Sequence, residues 1–174
     1  MSTMPSAVCV VDANVVVSGL ISSDKDSPTV FVLDAMLDGS LVYLLSQELL
    51  NEYSTVLRRA KLMRLHGLVS EDIDRLLTHL VANAMWREPA VRVSTAPDSS
   101  DGHLWALLAT FPSAVLITGD QLLLKEPPAP GAVISPRRFR DCTSPTDNDT
   151  AALANSQGRR PVQIRSVTRR TTSW

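Results

Sequence analysis

The chain alternates short, uniformly apolar runs with longer stretches in which apolar residues recur at helical spacing. Val8, Cys9, Val10 and Val11 run without interruption into Asp12. A run this short and this continuous reads as a strand buried on both faces, as in a parallel sheet covered by helices. Residues 114–117 repeat the design and lead into Thr118-Gly119-Asp120. Residues 41–45 and 132–134 are further apolar strands, and Val91-Arg92-Val93 is a weaker one. Between them, residues 18–26 read as a polar loop. Pro28 to Asp38 reads as a helix with Ser27 as its N-cap and Gly39 closing it. Ser46 opens a second helix whose buried face is Leu49, Leu50, Tyr53, Val56 and Leu57. Gly67 breaks the chain, and Ser70 begins a helix striped by Ile73, Leu76, Leu77, Leu80, Val81 and Ala84. The turn at residues 97–101 enters a helix carrying Leu104, Leu107, Leu108 and Phe111, and Gln121 to Lys125 forms a short one. Strands alternating with helices specify right-handed crossovers, hence a three-layer α/β/α sandwich around a central parallel sheet.

The pattern fades after Cys142. Residues 143–174 are dominated by Ser, Thr, Asn, Asp and Arg and are expected to be a disordered, net positive tail, leaving residues 1–142 as one domain. Formal net charge is −1, so no global field recruits nucleic acid and any basic surface must be local. The only two cysteines, Cys9 and Cys142, make neither a disulfide framework nor a zinc constellation, and suit a reducing compartment. The N-terminus carries no basic region of the secretory type, and no apolar run approaches the roughly 18 residues of a membrane span. A cytoplasmic protein without membrane attachment is expected.

The informative residues are acids. Asp12 and Asp120 follow buried strands, at the edge where ligands bind in open α/β sheets. Each has a plain alternative, since Asp after a strand often closes a loop through backbone N–H groups. Glu48 and Glu52 lie one turn apart, and the helical angle puts Glu52 nearer the buried stripe. Asp101 falls in line with Leu104 and Leu108, so it is either an N-cap or a ligand facing a cleft; Asp98 either holds the turn or assists. Four converging carboxylates would repel and raise one another's pKa. A divalent cation resolves that conflict, and oxygen ligands without Cys or His companions favour Mg²⁺ or Mn²⁺ over zinc. His66, His79 and His103 read as surface residues. No nucleophile elbow, phosphate loop or dinucleotide fingerprint is present. Asn14 stands two residues after Asp12, where a haloacid-dehalogenase-like phosphatase needs a second acid, and Asn cannot serve as one.

Residues 11–15, 46–52, 97–101 and 116–120, taken in order, resemble the four acidic motifs of PIN-domain proteins, and most closely the branch of toxin components from bacterial toxin–antitoxin pairs. The stretch Val56-Leu57-Arg58-Arg59-Ala60-Lys61-Leu62 is also similar to that branch, and the likeness extends over about residues 8–141. The resemblance implies an Mg²⁺- or Mn²⁺-dependent endoribonuclease leaving 5′-phosphate and 3′-hydroxyl ends. It makes Asp12, Glu52, Asp101 and Asp120 the acidic quartet, with Asp12, Asp101 and Asp120 on the metal and Asn14, Thr118 and Asp98 supporting them. Arg58, Arg59, Lys61 and Arg64 are candidates for RNA phosphates, and equally a solvated helix end where cations suit the dipole. The implied partners are an RNA substrate and an antitoxin protein, with a homodimer as a further assembly. Three departures stand out: Ala13 replaces a usual hydroxyl residue, Ser99-Ser100 replace acids, and the tail is unusual. These keep open a second reading, a PIN-like RNA- or protein-binding module with little turnover.

Overall fold

Val8 to Val11 become a strand because β-branched residues tolerate the pleated backbone and both faces are covered. In the computed structural model, which describes residues 7–90 and 101–143, strand β1 is Cys9–Val11, and all three residues are buried. The remaining strands are β2 (Leu44–Leu45), β3 (Met85–Trp86), β4 (Val115–Ile117) and β5 (Val133–Ile134). The helices are α1 (Ala13–Ile21), α2 (Pro28–Asp38), α3 (Gln47–Leu57), α4 (Ala60–His66), α5 (Ser70–Asn83), α6 (Gly102–Thr110), α7 (Gln121–Lys125) and α8 (Pro136–Thr143).

Among the described residues all strand pairings are parallel: β1 with β4, β4 with β5, and β2 with β3. A single parallel bridge, Cys9 to Tyr43, joins the two groups, with the Cys9 N–H donating to the Val42 carbonyl at 2.9 Å. The order across the sheet is therefore β3-β2-β1-β4-β5. The chain works outward from β1 in one direction, then returns to build β4 and β5 on its other side. The crevice between β1 and β4 is thus the topological switch point, the place where open α/β sheets bind ligands. With its flanking helices the fold is the expected three-layer α/β/α sandwich.

The helix caps fall mostly where the residues put them. Gly39 and Gly67 end α2 and α4 in the left-handed conformation, at φ 77° and 70°. Ser46 caps α3 by accepting from the Leu49 N–H. Several elements differ from expectation. Residues 18–21 are not loop but the end of α1, which Asp12 caps; three consecutive valines hid a helix that tertiary packing imposes over their β preference. Gly19 serves that packing, because a Cβ there would sit 2.8 Å from the Thr29 carbonyl of α2. A turn at Arg58-Arg59 separates α4 from α3. The strand beside β2 is Met85–Trp86, immediately after α5. The expected strand at residues 91–93 lies outside the described residues, as do the turn at 97–100 and the tail from residue 144. Helix α8 was not expected at all. It buries Pro136 and Phe139, the latter against Phe31 of α2. Among the described residues no helix is long and apolar enough to cross a membrane.

Candidate active site

Asp12 ends β1 and begins α1 at the switch point, and it is one of the few buried polar residues among those described, 4% exposed. Its Oδ1 accepts the Asn14 backbone N–H at 3.0 Å, and its Oδ2 accepts the Thr118 hydroxyl at 2.6 Å. Thr118 is fully buried and in turn accepts the Asp120 N–H at 3.0 Å, so one hydroxyl couples the ends of β1 and β4. Asp120 repeats the local geometry of Asp12. Its Oδ1 accepts the Leu122 N–H at 2.7 Å and caps α7. The plain alternative raised for each aspartate is therefore realised, with one carboxylate oxygen of each used as a helix cap.

Electrostatics distinguishes Asp12. Burial pushes its carboxyl above the ordinary range, against the pull of the bonds from Thr118 and Asn14, and the negative charges of Glu52 and Asp120 push it further up. The charges of Glu52 and Asp120 are thus within electrostatic reach of Asp12. Burial also pushes the Cys9 thiol up to about 12, which leaves it protonated and unsuited as a nucleophile.

Glu52 is brought in by its neighbour in sequence. Tyr53 is buried and donates its hydroxyl to the Val11 carbonyl, pinning α3 to the last residue of β1. Its phenol is raised well above 10.0, by burial first, then by Tyr43, Asp12 and Glu52, so it remains a donor. Glu48 one turn earlier is exposed, while the Glu52 side chain is 32% exposed and accepts from His103 Nε2 at 2.8 Å. His103 corrects an expectation. It is a half-buried residue of α6 whose side chain is only 6% exposed, and not a surface histidine. His66 is also engaged. Leu68 N–H donates to its Nδ1, so Nε2 carries the proton and donates to the Leu57 carbonyl. Neither role is visible in helical periodicity, which locates a face and not the partner across it.

Asp101 stands at the N-terminal boundary of α6, on the side of the sheet where crossover helices begin. It makes no side-chain capping bond to that helix, and α6 packs on α3, β1 and β4. Asp98 lies outside the described residues. Asn14 supports Asp12 through its backbone, since its side chain is exposed. The missing hydroxyl at Ala13 does not leave Asp12 without support, because Thr118 and the Asn14 N–H supply it.

The basic residues divide. Arg58 is paired with Asp74 of α5 and bonds Ser54 at 3.3 Å. It lies about 9 Å further down the helix from the rim than Glu52. Arg59, Lys61 and Arg64 are exposed. Arg137 and Arg138, which sequence reading passed over, are exposed in the first turn of α8, directly beyond β5 and so on the same rim as Thr118 and Asp120. Recognising α8 as a helix entered from a rim strand was the signal needed to find them.

Among the described residues no group of three or more His, Cys, Asp or Glu side chains is placed to hold a metal ion. The donor chemistry nonetheless suits a hard cation. Mg²⁺ keeps several waters and is commonly held by only one or two carboxylates together with substrate phosphate. Asp12 and Asp120, tied through Thr118, are the pair that fits.

A parallel sheet with a buried, repelled carboxylate at its switch point defines an α/β protein with an acidic rim site. The chain belongs to the PIN-domain family: residues 8–122 match the PIN domain model. The match ends at the start of α7, short of the extent to residue 141 expected from sequence, so β5 and α8 lie beyond it. PIN domains are generally nucleases and typically use divalent metals. A search of curated proteins finds no match.

Proposed function

We propose that this PIN domain is an endoribonuclease dependent on Mg²⁺ or Mn²⁺, acting as the toxin of a toxin–antitoxin pair. The observation that carries the proposal is the Asp12 carboxylate, buried at the β1–β4 switch point and tied through the Thr118 hydroxyl to Asp120, with the charges of Glu52 and Asp120 in reach. A fold that needed only a helix cap would not gather two further negative charges around it, because each addition destabilises the metal-free protein.

In this reading Asp12 and Asp120 hold the ion, and Glu52 and Asp101 orient water. The ion supplies charge compensation at the phosphate and lowers the pKa of water. Thr118 holds the Asp12 carboxylate in place, so positioning is complete before substrate arrives. Arg137 and Arg138 contact RNA phosphates on the β5 side of the rim, better placed for this than the partnered Arg58. Arg59, Lys61 and Arg64 extend the basic surface away from the site. An antitoxin segment or a second copy of the chain would regulate access.

The second reading, a binding module with little turnover, is favoured by the capping bonds of Asp12 and Asp120 and by the lack of a three-acid metal cage among the described residues. Incubation of the full chain with single-stranded and structured RNA, with Mn²⁺ or with chelator, separates the two. Internal cleavage only with Mn²⁺, leaving 5′-phosphate ends, is expected. Metal-independent binding without cleavage would establish the binding module.

A further inference from the structure

We propose that His103 is a positioning residue for the acidic rim, holding the Glu52 carboxylate in one orientation and locking the helix that bears Glu52 to the helix that bears Asp101. The inference goes beyond the nuclease reading and rests on it for the function that the positioning serves.

His103 lies on the first turn of α6, which otherwise turns Leu104, Trp105, Leu107 and Leu108 into the core. An imidazole buried there costs free energy unless its nitrogens are bonded, and an apolar residue would pack more cheaply. Its Nε2 is instead 2.8 Å from Glu52 Oε2, a side chain far more exposed than its own. The partner is a carboxylate, so the ring nitrogen donates. Holding Oε2 in this way leaves Oε1 to meet an ion or an attacking water. Glu52 then works through one oxygen, as a water-orienting group and not as a two-oxygen ligand.

The bond also completes a brace. Tyr53, next to Glu52, is anchored to the Val11 carbonyl beside Asp12, and Thr118 joins Asp12 to the Asp120 loop. His103 adds α6, whose first turn follows Asp101. The acids of four chain segments are thereby held by four hydrogen bonds that do not involve substrate. Hydrogen-bond partners of metal-site ligands have effects of about 10–100-fold on metal affinity or activity.

Three variants of the full chain test this: His103→Leu removes the donor, His103→Gln presents an amide N–H at about the reach of Nε2, and His103→Asn presents one too short. Single-turnover and steady-state cleavage of single-stranded RNA would be measured at saturating Mn²⁺, together with the Mn²⁺ concentration giving half-maximal rise in melting temperature. His103→Leu and His103→Asn should each lower kcat about 10–100-fold with KM little changed, and should raise the Mn²⁺ requirement by a similar factor. His103→Gln should recover most of both. If His103→Leu does not fold, the Gln and Asn pair carries the comparison. Wild-type kcat and Mn²⁺ response in all three variants would overturn the positioning role and leave the nuclease reading standing. Equal loss in all three, tracking melting temperature alone, would reduce His103 to a packing residue. A wild-type chain that neither cleaves RNA nor gains stability from Mn²⁺ would overturn both.

Discussion

Asp12 and Asp120 are built alike and placed unlike. Each follows a parallel strand, each caps the next helix through the N–H two residues on, and each touches Thr118, through side chain or backbone. Asp12 is nevertheless buried at the switch point while Asp120 is half-exposed. Burial raises the Asp12 carboxyl above its ordinary range, and the charges of Glu52 and Asp120 add to that rise. The same local motif is half-exposed at one strand end and buried near further negative charge at the other. Capping geometry therefore does not decide between structure and chemistry; the surrounding charge does.

The largest effect should come from replacing each in turn. Asp12→Asn should lower Mn²⁺-dependent RNA cleavage by at least about a thousandfold, because a preorganised charge at the reacting centre is lost. Asp120→Asn should lower it less, by about 10–100-fold, since the half-exposed position lets water substitute. Initial rates at saturating Mn²⁺ check both, and equal losses would erase the distinction between the two ends.

The same contrast extends to α3. Glu52→Gln should cut cleavage by orders of magnitude, whereas exposed Glu48→Gln should cost less than about tenfold, or 1.4 kcal/mol of barrier. Helix propensity and net charge change equally in the two variants, so a larger loss at Glu48 would show that the site lies on the other side of α3.

Much of this was legible in the residues. The β1 and β4 strands, the helix Pro28–Asp38 and the short helix Gln121–Lys125 follow from apolar runs and caps, and each is found. Helical angle alone separated Glu52 from Glu48, and the side-chain environments differ in that direction. Two kinds of feature were not legible. Val15-Val16-Val17 favour a strand locally, yet they lie in a helix capped by Asp12 and packed closely on α2 at Gly19. His103 and Tyr53 act through partners 51 and 42 residues away in sequence, a separation that no local pattern encodes.

Smaller effects bear on Thr118, the link between the two strand ends. Thr118→Val keeps the shape but strips a buried bond from Asp12 and another from the Asp120 N–H. It should destabilise the fold by about 1–3 kcal/mol, read from denaturant midpoints. Thr118→Ser should recover most of it.

The smallest effect is the pH dependence. A carboxyl raised in the folded state favours folding while protonated, and that contribution is lost as pH rises from the ordinary value of 3.8 through the raised one. The metal-free wild type should therefore shed stability over that window, and Asp12→Asn should not. Melting temperatures without metal from pH 3 to pH 7 would show the two curves converging at the acid end. A marked loss of stability in Asp12→Asn at pH 7 would instead make Asp12 a structural anchor.

In the proposed nuclease the β1–β4 crevice holds a divalent cation between the two aspartates. Anomalous diffraction from crystals grown with Mn²⁺ tests it directly. A manganese peak bonded to carboxylate oxygens of Asp12 and Asp120, at about 2.0–2.2 Å as for small hard cations, is the predicted result, and it should vanish in Asp12→Asn crystals. A crevice without manganese at saturating concentration, or manganese bound only elsewhere on the surface, would contradict it.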